Sequence, residues 1–486
     1  MSRYLSRFVL ADQCNYKRKG SEMKHAVLTS ALLAAFAVPS VALATDGYFA
    51  HGYGMKAKGM GGAATAMAID TFGGANNPAS MVWVGDRLDI GLDLFSPRRS
   101  AERTGASNVG PGTVGINGSA DSDSKLFLIP EFGYNKMLGW NMSAGVTVYG
   151  NGGMNTDYPG GQIPANTACG GFNPGPTGGG SAPYNLLCGS GKLGVNLEQL
   201  VVAPTFAMKL NKDHSFGASV LLAYQKFKAE GLDGFWGFTQ FGPPGTPANW
   251  AANNNLTNRG TDSSVGYGLR LGWMGKVSDT VTLGATYTTK TKMDKFDKYK
   301  DLFAGQGYFD MPASMNLGIA FKATPALTLA ADFQRIDYSG IKSIANPSTN
   351  TGNAVAATGF TVGSLGCDTC RGFGWSSVNV FKIGAEYQYN PKLILRAGYN
   401  HSDNPIQGRD VTFNILAPGV VQDHMTLGFT YDLTKDSELT MAYMHAFKNS
   451  VEASSLFTNF IGAAGGTDKI QMYENSLGIA YSRKFQ

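Results

Sequence analysis

The stretch GYGMKAKGMGGAATAMAIDTFGGANNPASM, Gly52 to Met81, decides how the rest of the chain is interpreted. It contains seven glycines, a short alanine-rich run and the tripeptide Asn77-Pro78-Ala79, and it lacks the alternation of a strand. Glycine permits tight bends and close backbone approach, which a segment folded inside a narrow lumen requires. We therefore expect a compact plug, or hatch, over residues 45–86. A flexible linker of the same composition is the alternative.

Everything after Arg87 has a different pattern, in which apolar and polar residues alternate over short segments separated by turn residues. Alternation with period 2 predicts strands that have one apolar face. Fourteen such segments follow: 87–98, 125–134, 140–149, 198–210, 214–226, 264–275, 280–293, 313–322, 326–337, 377–389, 392–400, 423–433, 437–448 and 472–485.

The connections between these segments alternate between short and long. Links of two to five residues, such as Asn390-Pro391, are followed by long ones such as 150–197 and 227–263. This rhythm, together with an even strand count, is typical of bacterial outer-membrane barrels, which have tight periplasmic turns and long outer loops. The sequence therefore predicts an all-β fold: a 14-stranded antiparallel transmembrane β-barrel over residues 87–486, plugged by the N-terminal hatch.

The faces of the predicted strands agree with a membrane barrel. In 264–275, one face carries Val265, Tyr267, Leu269, Leu271 and Trp273, while the other carries three glycines and Arg270. Apolar residues would face lipid, and small or charged residues would face the lumen. The mean hydropathy is −0.12 and no apolar run after residue 45 reaches the roughly 18 residues of a membrane helix, so helical spans are excluded.

Residues 1–44 are expected to be a secretory signal peptide. Lys24-His25 precede the apolar stretch 26–38, and Ala42-Leu43-Ala44 places small residues where a signal peptidase cleaves. The predicted mature protein starts at Thr45, and Met23 is a candidate for the true translation start. Removing this segment takes away six of 40 Lys and Arg and two of 35 Asp and Glu, which leaves a net charge of +1. A nucleic-acid partner therefore has no support.

Four cysteines follow the signal peptide, and an even number in an exported chain favours disulfides. We expect the pairs Cys169–Cys188 and Cys367–Cys370. The Cys367-Asp368-Thr369-Cys370 motif is also the pattern of a redox or metal half-site, but no histidine or second cysteine pair accompanies it. A loop staple is therefore the preferred interpretation, and no metal or cofactor is expected.

The motif GMGGA, Asp70 and Asn77-Pro78-Ala79 before the first strand resemble the hatch of the FadL/TodX family of outer-membrane transporters for hydrophobic compounds. The segments VSDTVTLGATY, ATPALTLAADF and AGYNHSDNPI resemble the same family, over the whole mature chain. The resemblance implies a monomeric barrel, embedded in outer-membrane lipid and lipopolysaccharide. Outer loops would capture a hydrophobic ligand, a pocket beside the hatch would receive it, and it would leave sideways at a kinked third strand.

The sequence supplies candidates for two of these steps. The third strand ends in Tyr149-Gly150-Asn151-Gly152-Gly153, and because glycines interrupt ladders and permit bulges, a wall opening is expected there. The alternative is an ordinary strand end. Tyr48 and Phe49, at the start of the hatch, would offer aromatic surface beside the ligand, and Asn77, Pro78 and Ala79 would fix the hatch in its gated position.

Two further sets of side chains are candidates for contact with the ligand. The long connection 227–263 carries aromatic residues that suggest an exposed capture surface or, equally well, a loop packed on itself: Phe235, Trp236, Phe238, Phe241 and Trp250. Four cations on the predicted lumen face are possible partners of a substrate carboxylate, although lumenal ion pairs are the commoner role: Arg270, Lys290, Lys382 and Arg396.

Two other function classes are weaker. A barrel hydrolase needs a histidine beside a serine and an acid, and His401-Ser402-Asp403, His424 and His445 lie at strand ends, but no GxSxG motif is present. A general porin leaves the glycine-rich hatch unexplained. The resemblance therefore implies passive uptake of hydrophobic molecules, most simply long-chain fatty acids, with aromatic hydrocarbons as the alternative on the same scaffold.

Overall fold

The computed structural model describes residues 46–105, 115–164, 168–171, 183–239, 255–352, 355–357, 360–362, 364–461 and 465–485. Fourteen long strands follow one another: β1 Arg87–Thr104, β2 Phe127–Met137, β3 Met142–Tyr158, β4 Leu193–Lys209, β5 His214–Glu230, β6 Asp262–Lys276, β7 Val281–Thr288, β8 Ser314–Lys322, β9 Leu327–Ile336, β10 Val378–Asn390, β11 Leu393–Ser402, β12 Asp423–Asp432, β13 Ser437–Ser454 and β14 Thr467–Lys484.

Each strand pairs antiparallel with the next, and β14 returns to β1. The closing ladder runs over the whole of both strands, from Arg87 opposite Lys484 to Thr104 opposite Thr467. This ladder closes the sheet into a barrel, so the predicted 14-stranded antiparallel barrel is confirmed. Short strands outside this set are Gly118–Asp121, which pairs with β1, Lys292–Met293, which pairs with β6, and the hairpin Val355–Ala357 and Phe360–Val362.

The two faces of the strands separate as the alternation predicts. In β1, Ile90 is 47% exposed and Leu92 38%, whereas the neighbouring Asp89 and Asp93 are each 1% exposed. The apolar residues point outward to where lipid would lie, and the acidic residues point into the lumen. None of the helices in the described ranges is both long and apolar enough to cross a membrane.

The helical elements are short, with three to six residues each. The α-helical turns are Met55–Lys58, Ala304–Gly307, Lys342–Ala345 and Thr458–Ile461. The 3₁₀ turns are Thr71–Gly74, Pro78–Trp83, Ala168–Gly171, Asp233–Phe238, Asp297–Tyr299, Tyr338–Gly340, Gly408–Asp410 and Phe413–Ile415. Most of them lie in the long connections between strands. We call the end of the barrel that carries these long connections the outer end.

Residues 46–86, which we call the N-terminal segment, pack against the inward faces of the strands. The segment has no long strand, and two of its three helical turns, Thr71–Gly74 and Pro78–Trp83, are capped by its own side chains. Asp70 accepts a hydrogen bond from the Phe72 amide at 2.9 Å, and Asn77 accepts one from the Ala79 amide at 3.0 Å. Ala79 is fully buried and its carbonyl accepts a hydrogen bond from Ser215 of β5. The segment therefore occupies the lumen.

Several strands extend further at the outer end than their alternation predicts. β1 continues to Thr104 rather than Arg98, and β14 begins at Thr467 rather than Met472. These extensions carry polar residues on both faces, so that no apolar face marks them in the sequence. The predicted strand 280–293 is wrong in its second half, because β7 ends at Thr288.

Candidate functional site

Two lysines fasten the N-terminal segment to the barrel wall. Lys58 Nζ forms a buried ion pair with Asp93 of β1, and Lys56 Nζ lies 2.5 Å from Glu438 of β13. Burial opposes the charge of Lys58, but the carboxylates of Asp93 and Glu131 outweigh it and raise its pKa. Lys58 is therefore a buried ammonium whose charge depends on acids supplied by the wall.

The Asn77-Pro78 pair attaches the segment to the opposite side of the lumen. Asn77 Nδ2 donates to the carbonyls of Thr65, at 2.7 Å, and of Trp273 in β6, at 2.9 Å. A Cβ at Gly272 would lie 2.1 Å from Asn77 Oδ1 and 2.8 Å from Pro78 Cδ, so the wall has room for these residues only because position 272 is glycine. The motif thus joins the segment to itself and to the barrel.

Replacing Asn77 and Pro78 with alanine is expected to leave the barrel folded and heat-modifiable on gels while uptake of a hydrophobic substrate falls. The two carbonyls would lose their buried donor, at about 1–3 kcal/mol for each unsatisfied group, and the segment would lose its fixed position. Asn76→Ala is the matched control, because Asn76 Nδ2 bonds only within the segment, to the Tyr53 carbonyl at 2.8 Å. If the double variant is present at wild-type surface levels and its uptake is normal, the segment is only a passive stopper.

The third strand leaves the wall over part of its length. β2 and β3 pair only from Phe132 opposite Val148 to Met137 opposite Ser143. Beyond that point, β1 is the only long strand that pairs with residues 127–131, and β4 is the only long strand that pairs with residues 149–158. Residues 147–156 are all buried, without the alternation of a wall strand. The wall therefore has an unpaired stretch between β2 and β3, which Asp123 N closes at its outer end by donating to Asp157 O at 2.8 Å.

The glycines at positions 150, 152 and 153 lie in this stretch. Gly150 is opposite Leu200 and Gly152 opposite Gln199, so that Asn151 is an extra residue and forms a bulge. A bulge bends its strand and interrupts the ladder, which explains why β3 turns inward here. The structure has a bulge at these glycines, and their function as a lateral opening stays a prediction.

The tip of the N-terminal segment covers the bulge from inside. The amide of Gly153 donates to the Tyr48 carbonyl at 3.3 Å, and the Ala50 amide donates to the Asn151 carbonyl at 3.3 Å. A Cβ at Gly152 would lie 1.8 Å from the Tyr48 carbonyl oxygen. Tyr48 is fully buried, and its ring packs against aromatic rings of the outer connections: Phe309, Tyr338 and Trp375.

The predicted lumen cations have protein partners. Arg270 Nη1 donates to the Gly74 carbonyl at 2.8 Å, and Lys382 Nζ donates to the His51 carbonyl at 2.7 Å. Arg396 pairs with Glu386 at 2.8 Å. Arg270 and Lys382 also line a cavity of about 20 Å³ beside Phe49. These three side chains therefore bond to protein groups inside the lumen, which is the alternative to binding a substrate carboxylate.

Lys290 corrects the sequence analysis. It lies beyond the end of β7, its side chain is 43% exposed, and its ammonium is 3.6 Å from Asp310. The predicted strand 280–293 placed it on the lumen face, but the chain leaves the sheet after Thr288 and that alternation no longer applies.

A second cavity, of about 30 Å³, lies among the outer connections and is lined mostly by apolar side chains. Phe235 lines it at 5% exposure, and Phe238 is 2% exposed. Both therefore belong to a packed cluster rather than an exposed capture surface, with the Phe235 ring edge-to-face against Phe413 at 5.3 Å. Trp236 is partly buried against the same cluster. Phe241 and Trp250 lie outside the described residues.

Arg371 is a lining residue of this outer cavity that the sequence analysis missed. Its side chain is 4% exposed, Nε donates to Ser364 Oγ at 3.2 Å, and the guanidinium carbon lies 5.3 Å from the Phe238 ring centroid. Burial lowers the pKa of Arg371 to about 10, so it stays charged at neutral pH. No strand pattern marks it, because it lies in a connection.

The four cysteines that follow the predicted signal peptide lie in pairs in the outer connections: Cys169 with Cys188, and Cys367 with Cys370. The second pair closes the loop directly before Arg371. We expect peptide mapping of the unreduced protein to recover both cross-linked peptides, since exported chains oxidise such pairs. Alkylation of all four thiols without prior reduction would contradict this expectation.

The histidines offer no hydrolytic arrangement in the described part of the chain. His401 Nδ1 is 2.7 Å from Asp423, and His445 Nδ1 is 3.0 Å from Asn475, so that neither bonds to a serine. His424 is buried, 6.2 Å from the ring of His51. Among the described residues, no three His, Cys, Asp or Glu side chains are grouped to hold a metal ion.

Comparison with known proteins finds solved structures of similar fold. The chain resembles the solved toluene transporter TodX of Pseudomonas putida (20% identity, 90% of this chain and 99% of that chain, TM-score 0.59) and the toluene transporter TbuX of Ralstonia pickettii (18%, 90% and 99%, 0.57). It also resembles a Pseudomonas aeruginosa FadL homologue (15%, 90% and 100%, 0.60). At these identities the likeness shows the fold.

A search of the curated proteins found no match. The family model described as "Outer membrane protein transport protein (OMPP1/FadL/TodX)" matches residues 187–481, more than half of the chain. Its members are transport channels of the outer membrane rather than enzymes. On this match, the chain belongs to the OMPP1/FadL/TodX family of outer-membrane transport proteins for hydrophobic compounds.

Proposed function

We propose that this protein takes up long-chain fatty acids passively, and that they leave the barrel sideways between β2 and β3. The observation that carries the proposal is the unpaired stretch beyond Phe132, where β3 turns inward at the Asn151 bulge. A break in the ladder next to the lumen gives an apolar molecule a route into the lipid that avoids water in the periplasm.

The outer cavity is the proposed entry site. Its lining is apolar apart from Arg371 and Ser343, a composition that matches an alkyl chain with one anionic end, and the outer connections would have to move apart to admit the chain because the cavity is only about 30 Å³. From there, the aromatic rings around Tyr48 lead to the tip of the N-terminal segment. Movement of this tip would uncover the bulge, so residues 45–86 would act as the hatch of a monomeric, lipid-embedded barrel.

Aromatic hydrocarbons are the second candidate substrate class. The cluster of Tyr48, Phe309, Tyr338 and Trp375 favours flat rings, which stack on aromatic side chains. TodX and TbuX are described as toluene transporters. The guanidinium of Arg371, which also bonds to Ser364 and to the Ser348 carbonyl, favours the fatty acid, because a cation attracts a carboxylate and not a hydrocarbon.

Uptake by cells that lack other transporters of this kind tests the proposal. Cells producing the protein should accumulate radiolabelled palmitate faster than cells carrying the empty vector. Toluene uptake, measured in the same cells, should change less. Accumulation of toluene but not palmitate would overturn the fatty-acid proposal in favour of the hydrocarbon. Mass spectrometry of molecules that co-purify with the barrel provides an independent readout.

A further inference from the structure

A cluster of polar side chains at the outer end of the unpaired stretch has no part in the path described so far. Arg99 of β1, Tyr158 of β3 and Glu474 of β14 all point inward, at 6%, 0% and 0% exposure. Phe127, the first residue of β2, lies beneath the guanidinium, with Arg99 Cζ 5.6 Å from its ring centroid. The cluster therefore adjoins the outer end of the stretch where β2 and β3 do not pair.

Several polar atoms of this cluster lack a protein partner. Arg99 donates to the Ser124 carbonyl at 2.6 Å, but its Nε–H has no acceptor. The Tyr158 hydroxyl and both carboxyl oxygens of Glu474 are likewise buried and without a hydrogen bond. Buried polar groups are nearly always hydrogen-bonded in native proteins. Three unsatisfied side chains in one place therefore indicate a bound polar group.

The next inward cation on the same strand, unlike Arg99, has a carboxylate within ion-pair distance. Arg103 lies directly opposite Asp468 of β14, and Arg103 Nε is 2.8 Å from its carboxylate. Arg99 is instead opposite Met472, and Glu474 is opposite Pro97. Arg99 and Glu474 are thus diagonal neighbours, about 7–8 Å apart along the ladder. Their charges act on each other, but no ion pair joins them.

We propose that Arg99, Tyr158 and Glu474 form a binding site for the carboxyl group of an amphiphile at the exit from the lumen. The proposal rests on the fatty-acid function above. The Arg99 Nε–H and the Tyr158 hydroxyl would donate to the ligand carboxyl group. Glu474 would share one proton with it. Two carboxyl groups that hold one proton carry a single negative charge, which the guanidinium balances.

The site also explains how a fatty acid would be oriented on leaving. With its head held between β1, β3 and β14, its chain would extend along Phe127 towards the unpaired stretch. No covalent bond forms or breaks. The proton is held between the two carboxyl groups; it leaves with the ligand when the fatty acid departs as the neutral acid, and it stays on Glu474 when the fatty acid departs as a carboxylate.

Binding of palmitate and hexadecane to the purified full-length protein in detergent tests the site, since the two ligands share a chain and differ in the head group. We expect Arg99→Gln to weaken palmitate binding by about tenfold or more, the effect of losing one charge-assisted hydrogen bond. Hexadecane binding should stay within about twofold, because a hydrocarbon makes no such bond. Arg98→Gln is the matched control, since Arg98 is the adjacent residue and points outward.

Two further variants separate a binding role from a structural one. Tyr158→Phe removes a single hydroxyl and should weaken palmitate binding alone. Glu474→Gln keeps a donor for the carboxylate and should retain binding, while the carbon-13 signal of carboxyl-labelled palmitate should shift. Equal losses for palmitate and hexadecane, or an Arg99→Gln protein that binds palmitate like wild type, would overturn the site and leave the fatty-acid function standing. A wild-type protein that binds no palmitate would overturn both.

Discussion

Deleting Asn151 is expected to reduce uptake of a hydrophobic substrate by an order of magnitude or more while the barrel still assembles. Asn151 is the extra residue that separates the pairs Gly150–Leu200 and Gly152–Gln199. Without it, β3 would pair with β4 in continuous register and lose the local bend that a bulge imposes. The strand would then return to the wall and be able to pair with residues 127–131 of β2.

A second bulge provides the control for this deletion. Between β10 and β11 the register shifts from Gln388 opposite Ile394 to Asn390 opposite Leu393, with Tyr389 as the extra residue. Tyr389 is exposed and lies beside a short turn with no unpaired stretch. Its deletion should leave uptake unchanged. If both deletions leave uptake normal at equal surface levels, the opening between β2 and β3 is not the exit.

Alternation predicted the barrel because each strand in a membrane wall separates lipid from lumen. The pattern fails wherever one of those environments is missing. Residues 147–156 of β3 are buried on both sides, and the sequence marked them only through Gly150, Gly152 and Gly153. The outer extension of β1 to Thr104 could likewise not be predicted from alternation, since polar residues occupy both of its faces.

The candidate site was less predictable than the fold, because it depends on contacts between distant segments. The sequence offered Phe235 and Phe238 as a capture surface or as part of a loop packed on itself, and it could not show that Phe413 and Phe457 cover Phe235. Asn77 was found because a proline follows it, whereas its bond to the Trp273 carbonyl spans 196 residues. The predicted first strand ended at residue 98, so Arg99 was assigned to a connection, and only the closing ladder shows that Arg99 and Glu474 are diagonal neighbours.

The buried Lys58–Asp93 pair should be the most sensitive attachment of the N-terminal segment. In Lys58→Met, Asp93 and Glu131, which are diagonal neighbours on the paired strands β1 and β2, would lose the cation between them and the segment. Removing one partner of a buried ion pair costs about 3–5 kcal/mol. Because the barrel ladder does not pass through Lys58, we expect this loss to release the segment rather than unfold the wall. Single-channel conductance should rise, and protease sensitivity of residues 46–86 should increase.

The double variant Lys58→Met with Asp93→Asn distinguishes the loss of the ion pair from the loss of the packing of the lysine side chain. Neutralising both members removes the unpaired charge, and such replacements are often nearly neutral in stability, so that conductance should return most of the way to wild type. Lys136→Met is the matched surface control: Lys136 pairs with Asp86 but is 55% exposed, and exposed pairs contribute about 0–1 kcal/mol. A double variant as leaky as Lys58→Met alone would show that the lysine holds the segment by its packing in the lumen and not by its charge.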